Sequence, residues 1–396
     1  MDYIFSDRIS SLKPSLIREI LKNTSGTDVI PFSAGNPAPE SFPIADMKEI
    51  ANGIFDDAAV EALQYGISEG YTPLRDALKA RMKKKFSSGA DFDNLTVVSG
   101  GQQGIELACK VLCNEGDTVI LENPSFIGAA NAFRSYNVNL CGVELENDGI
   151  NIEKLKQALK TEKNVKILYL IPTFQNPMGT TTSLEKRKAV LALAKKYSVI
   201  IIEDNPYGDL RFEGEEIPTI KSLDTDGLVV YCGSFSKILS AGIRVGYVLA
   251  PDEIIQKMVV AKQVSDVHTN LFFQMVAYRF MTQYNMDAHI EKIRKLYLHK
   301  SGLMLKCLEK AFDGRAEFTR PQGGLFLWCT LPDSIAMLDY CKKSSANKVA
   351  VVPGIAFCAS PSDSCNSFRL NYSTPSDSQI EQGVEILGKV LDSYKS

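Results

Sequence analysis

Apolar residues fall along this chain in two rhythms. Between residues 94 and 251, short continuous apolar runs alternate with stretches of helical period. The runs are 94–100 (NLTVVSG), 117–123 (DTVILEN), 138–145 (VNLCGVEL), 165–172 (VKILYLIP), 198–205 (SVIIIEDN), 228–235 (LVVYCGSF) and 244–251 (RVGYVLAP). They are rich in Val, Ile, Leu and Tyr, and several are apolar on both faces, as strands covered by helices on both sides must be. Between them, 102–115 and 183–197 repeat apolar residues at helical spacing. The second opens at Ser183, a good N-cap, carries Glu185 in its first turn, and sets Ala189, Val190, Leu193 and Ala194 on one face. Strand alternating with helix predicts an α/β fold built on a mostly parallel, doubly wound, seven-stranded sheet.

The rest of the chain has a different texture. Residues 253–312 read as mainly helical. The segments 316–332, 349–357 and 367–373 read as strands of a smaller α+β unit. Near the start, 14–22 (PSLIREILK) has a helix pattern, followed by a Gly- and Pro-rich loop, 34–43 (AGNPAPESFP), of the kind that lies over another surface.

Composition narrows the function classes. The 396 residues are 45% hydrophobic and 23% charged, which excludes disorder or a coiled coil as the main character. The 44 basic and 47 acidic side chains leave a net charge of −3, with no basic stripe for a nucleic acid. The one basic run, Arg81 to Lys85, ends a helical pattern and is expected to be a solvated face. No apolar stretch approaches the roughly 18 residues that cross a bilayer, and the opening MDYIFSDRIS has no long apolar stretch behind a basic flank, so no secretory signal is expected. Nine scattered cysteines suggest reduced thiols and a cytoplasmic protein. Cys109 and Cys113 share a helix face, but without a second ligand pair nearby no metal site is expected.

In a doubly wound sheet, ligands bind beyond the carboxyl ends of the strands. Four such ends carry chemistry. After 94–100 comes GGQQG (100–104), either a simple turn into a helix or a set of free backbone N–H groups for an anion. It is neither GxGxxG nor GxxxxGK[ST], so a dinucleotide or nucleoside triphosphate is disfavoured. After 165–172 comes PTFQNPMGT, with Asn176. The run 198–205 ends in Glu203 and Asp204, followed by Tyr207. After 228–235 come Ser236 and Lys237, with Ser234 before them and Arg244 beyond. Taken singly, each could be an ordinary turn or surface residue. Together they supply an amine, a carboxylate, an amide, a phenol, two hydroxyls and a guanidinium. Pyridoxal 5′-phosphate needs that set: an amine for its aldehyde, a carboxylate for its ring nitrogen, and donors for its phenolate oxygen and phosphate.

These motifs, PTFQNPMG, EDNPYGDLRF, GSFSKILSAGIRVGY and RLNYS, resemble those of the class I/II aminotransferases of fold type I. The resemblance is strongest to the branch of α-aminoadipate, kynurenine and broad-specificity aromatic or branched-chain enzymes, and it runs from 15–22 to 369–373. It implies a fold type I transferase with an N-terminal segment (1–44), a large coenzyme-binding domain (45–284) and a small C-terminal domain (285–396). By the same resemblance Lys237 is the lysine that bonds the coenzyme and Asp204 the acid at its ring nitrogen. Tyr207 and Asn176 are donors to the phenolate oxygen. Ser234, Ser236, Arg244, Gly101 and Gln102 hold the phosphate, and Phe126, where many relatives have Tyr, stacks on the ring. Tyr65 reaches the phosphate of a neighbouring subunit, so a homodimer is implied. Arg369 takes the substrate α-carboxylate, with Asn176 and Gly35 beside the substrate. The activity implied is amino transfer from an L-amino acid to a 2-oxo acid, 2-oxoglutarate by analogy, in a ping-pong cycle. Another reaction on the same fold, a carbon–sulfur β-lyase or other amino-acid lyase, a decarboxylase or an α-oxoamine synthase, is the alternative. A transcription-regulator effector domain is not expected, because 15–22 begins too early to leave room for a DNA-binding unit.

Overall fold

The computed structural model describes residues 3–10, 12, 28–360 and 362–394. The helix pattern at 14–22 lies outside the described residues. All seven apolar runs are strands: β1 (Asp93–Val98), β2 (Thr118–Asn123), β3 (Asn139–Glu146), β5 (Val165–Leu170), β6 (Ile200–Asp204), β7 (Val229–Ser234) and β8 (Gly246–Pro251). An additional strand, β4 (Gly149–Ile150), makes eight rather than the expected seven. It pairs antiparallel with the end of β3, and two residues are too few to leave a periodic signature in the sequence. The strand order is β1-β8-β7-β6-β5-β2-β3-β4. The middle, from β7 to β3, is parallel, and β8 runs antiparallel to both its neighbours.

The two-sided apolar character of the runs has a direct cause. Ile167 and Tyr169 of β5 and Ile202 of β6 enter one hydrophobic core, whereas Leu168, Leu170 and Ile201 enter another. Successive side chains of a strand point to opposite faces, so each central strand feeds both layers. The helices that cover the sheet include α1 (Gly101–Leu112), α2 (Ile127–Arg134) and α3 (Leu184–Tyr197). The start of α3 is as the sequence predicts: the Ser183 hydroxyl accepts the Lys186 N–H at 3.4 Å.

Beyond the long helix α4 (Met286–Phe312) lies a second, antiparallel sheet of β9 (Glu317–Phe318), β10 (Phe326–Thr330), β11 (Val352–Pro353) and β12 (Ser367–Asn371). The loop at 34–43 is pinned against this part of the chain. Ala38 N–H donates to the Tyr297 hydroxyl of α4 at 3.0 Å, and Ser373 Oγ donates to Asn36 O at 2.7 Å.

Two charged features do more than solvate the surface. Within the basic run only Lys83 and Lys84 are exposed, whereas Arg81 and Lys85 turn inward to pair with Asp209. A short helical turn at 208–210 brings that carboxylate over the helix end, which the local sequence of the run could not reveal. Lys221 is wholly buried and bonds Asp93 at 2.7 Å, Asp224 at 3.2 Å and Val229 O at 3.0 Å. Removing one member of a buried ion pair strands the others. Lys221→Ala is therefore expected to lower stability by about 3–5 kcal/mol, read as a lower denaturant midpoint; an unchanged midpoint would refute this.

Candidate active site

The parallel strands deliver their carboxyl ends to one edge of the sheet, and a cavity of about 730 Å³ opens there. Asp204 ends β6, Ser234 ends β7 with Ser236 and Lys237 just beyond, and Asn176 sits in the loop after β5. Phe126 immediately precedes α2. Gly101 and Gln102 open α1, behind the tight turn at Gly100, whose φ is 83°. That φ strains any residue but glycine, and a Cβ at Gly100 would also fall 2.1 Å from Arg244 Nη2 and displace the guanidinium. Arg369 enters from β12 of the small sheet, and Gly35 from the loop at 34–43. Every residue given a role at the coenzyme or substrate lines this cavity except Tyr65, and Glu203 turns away to accept the Ile220 and Lys221 N–H groups. Tyr65 is 80% exposed and stands edge-on to His268, with ring centroids 5.8 Å apart.

The electrostatics of the cavity are set by burial. Lys237 Nζ donates to Gly35 O at 2.7 Å. Burial, with the nearby cations Arg369 and Arg244, lowers its pKa to about 8, and Asp204 opposes this. Asp204 is itself pushed up to about 7 by burial, against the Tyr169 hydrogen bond and the Lys237 charge. Burial also raises the Tyr207 phenol above its usual range, so it remains a protonated donor at neutral pH.

Arg369 Nη1 donates to Asn176 Oδ1 at 2.9 Å, and Nη2 donates to the carbonyls of Ser33 and Ala34 at 3.0 and 3.3 Å. Its Nε has no partner, and its guanidinium lies over the Phe326 ring at 4.2 Å. Burial lowers its pKa to about 10, and no carboxylate among the described residues pairs with it. A buried cation without a counter-anion is costly unless a ligand supplies one. On the other side, Arg244 Nη1 and Ser234 Oγ both donate to Ser236 Oγ, at 3.3 and 2.8 Å. With the start of α1 they form a cup of hydroxyl, guanidinium and N–H groups suited to a phosphate.

Some residues that shape this cavity are absent from the sequence reading. Tyr169 donates to Asp204 Oδ2 at 2.7 Å. Buried Glu122 accepts from the Ile171 N–H and from Gln175 Nε2, at 3.1 and 3.2 Å, leaving its Oε1 unpartnered. Burial raises its pKa to about 7. Buried Arg187 donates to Pro172 O, Thr182 O, Pro218 O and Thr173 Oγ1. Together Glu122 and Arg187 brace the loop that carries Asn176. Strand register offers one signal: Tyr169 pairs with Ile202, two residues before Asp204, and so shares the face of Asp204.

The chain matches the family described as aminotransferase class I and II over residues 27–387. It is 40% identical, over 99% of its length and 95% of the relative's, to aromatic-amino-acid aminotransferase 1 of Thermococcus litoralis. Among solved structures it resembles the Pyrococcus horikoshii kynurenine aminotransferase in complex with PMP, with 37% identity, a TM-score of 0.95, and coverage of 99% of this chain and 98% of that one. It also resembles LysN, the alpha-aminoadipate aminotransferase of Thermus thermophilus, complexed with N-(5′-phosphopyridoxyl)-L-leucine. That likeness has 33% identity, a TM-score of 0.90, and coverage of 98% and 97%. The fold and these likenesses define a pyridoxal phosphate-dependent transaminase of fold type I. The chain belongs to the class I and II aminotransferases.

The residues present fit the coenzyme. The cup at Ser234, Ser236, Arg244 and Gly101 suits its phosphate, and Asp204 and Lys237 are an acid and an amine that line the same cavity. Among the described residues, no three His, Cys, Asp or Glu side chains gather as a metal ion would require. No helix among them is long and apolar enough to cross a membrane.

Proposed function

We propose that this transaminase takes the amino group from an L-amino acid and passes it to 2-oxoglutarate in two half-reactions at one site. The observation that carries the reading is the meeting of half-buried Lys237 with buried Asp204 and Arg369 in one cavity. When bound, pyridoxal phosphate supplies an aldehyde that bonds amines and a ring that draws electrons from the substrate α-carbon. Lys237 would hold it and, once released, take the proton from that carbon as general base. Its pKa of about 8 keeps much of the amine free at mildly alkaline pH. Asp204 would keep the ring nitrogen protonated. Tyr207 and Asn176 would donate to the phenolate oxygen, and Phe126 would stack on the ring. Ser234, Ser236, Arg244, Gly101 and Gln102 would hold the phosphate.

Arg369 would dock the substrate carboxylate, which completes the partners of a buried guanidinium, with Asn176 and Gly35 beside it. Arg369→Ala is then expected to raise KM about 100-fold for all amino donors, with a smaller change in kcat. An effect confined to acidic donors would make Arg369 a side-chain reader instead.

A homodimer is part of the proposal. Phe55, Val60, Leu63, Tyr65 and Ile67 are all exposed within one short segment, an apolar surface suited to a second copy. Tyr65 would reach the phosphate in that copy's site. The division into a segment of 1–44, a large domain of 45–284 and a small domain of 285–396 belongs to the same reading. So does a cytoplasmic setting, which nine free thiols favour. The deciding experiment incubates the enzyme with an amino donor and 2-oxoglutarate. Glutamate formation is expected, and the donor alone should convert the bound coenzyme once per site. Pyruvate and ammonia from cystathionine, without glutamate, would indicate the β-lyase.

A further inference from the structure

Tyr169 lies outside the group of residues that face the cavity, yet it touches the acid at its centre. Its ring is fully buried on β5 and stands edge-on to Phe133, with centroids 5.4 Å apart. Its hydroxyl is 2.7 Å from Asp204 Oδ2. Among the described residues no other group donates to either oxygen of that carboxylate. The second oxygen, Oδ1, is the one nearer Gly101 at the start of α1: a Cβ built there would sit 4.0 Å from it. The carboxylate therefore has one oxygen anchored in the sheet and one left for the cavity that Asp204 lines.

We propose that Tyr169 is a positioning residue for the coenzyme: its hydroxyl fixes the Asp204 carboxylate so that the free oxygen meets the ring nitrogen. The proposal rests on the assignment of Asp204 made above. The physical argument has two parts. A carboxylate on a two-bond side chain can rotate, and a single charge-assisted hydrogen bond to a rigid phenol selects one orientation. That bond also favours the ionised acid, which burial alone would neutralise. Burial pushes the Tyr169 phenol well above its ordinary range, so it is always the donor. A neutral or misaligned Asp204 could not hold a proton on the ring nitrogen.

The test measures coenzyme affinity, not turnover. Apo-protein is titrated with pyridoxal 5′-phosphate and with 1-deazapyridoxal 5′-phosphate, which carries carbon where the coenzyme has its ring nitrogen. Tyr169→Phe removes one oxygen and keeps the ring against Phe133. It is expected to weaken binding of the coenzyme about tenfold, the scale of one hydrogen bond to a charged group, and to leave the deaza form within about twofold. In an Asp204→Ala background, the same change is expected to add no further loss, and this double variant has no stranded carboxylate to compromise folding. Equal weakening of both ligands, no weakening of either, or a further loss in the Asp204→Ala background would overturn the role of Tyr169. If the unaltered protein binds both ligands alike, the Asp204 assignment fails and the proposal falls with it.

Discussion

Lys237→Ala is expected to abolish transamination, with kcat down about 10⁴-fold or more, while the folded protein still binds the coenzyme noncovalently. The size of the loss follows from two tasks resting on one amine. Among the described residues Lys237 is the one lysine lining the cavity, so no neighbour can replace it either as the bonding group or as the base. The phosphate and ring contacts proposed for Ser234, Ser236, Arg244 and Phe126 would be untouched by the change, which is why affinity should survive. The measurement is a steady-state rate beside an absorbance titration of the purified variant. Added methylamine should restore part of the rate, because the missing function is a small base. A variant with wild-type rates would remove Lys237 from the chemistry.

The second large effect is expected at Asp204, and it has opposite signs for activity and stability. Asp204→Asn should lower kcat about 10²- to 10³-fold, because an amide cannot hold a positive ring nitrogen in place. The same change should stabilise the coenzyme-free protein. The folded-state pKa of Asp204 is raised from 3.8 to about 7, so the folded form binds this proton more tightly than the unfolded chain does. Its contribution to stability is greatest at low pH and is lost as pH climbs from about 4 to about 7. Wild type and variant should thus melt at similar temperatures near pH 4, with the variant ahead by a few degrees at pH 8. A melting difference independent of pH would contradict the burial argument. Loading with coenzyme should close the gap, since the ring nitrogen provides the missing positive partner.

Much of the architecture was legible because a buried parallel sheet writes itself as apolar runs. Seven strands and the capped helix after Ser183 are where the pattern puts them. What period cannot convey is pairing. Nothing in 244–251 shows that β8 inserts between β1 and β7 and reverses direction. Asn176, Asp204, Ser234 and Lys237 were legible for a related reason, because polar groups at the ends of parallel strands converge on one edge. Phe126, Gly35 and Arg369, the last on the antiparallel small sheet, were pointed to by the family resemblance alone. Groups that act from inside a run were not legible. Tyr169 looks like core because its ring is core, and only its hydroxyl reaches Asp204. Glu122 stands directly after three apolar residues of β2, and its partners come from a loop some 50 residues away. Arg81 reads as surface until Asp209 is brought over it.

The grip of Arg369 on the carbonyls of Ser33 and Ala34 joins positions 336 and 335 apart in the chain. A ribosome adding about 5–20 residues per second needs tens of seconds to cover that distance. Until then the early loop has no cation to fold onto, and the pocket lacks a wall. The cavity can therefore take its final shape only after residue 369 has been made. A chain broken off before Ser367 would lose that anchor along with the strand that bears it.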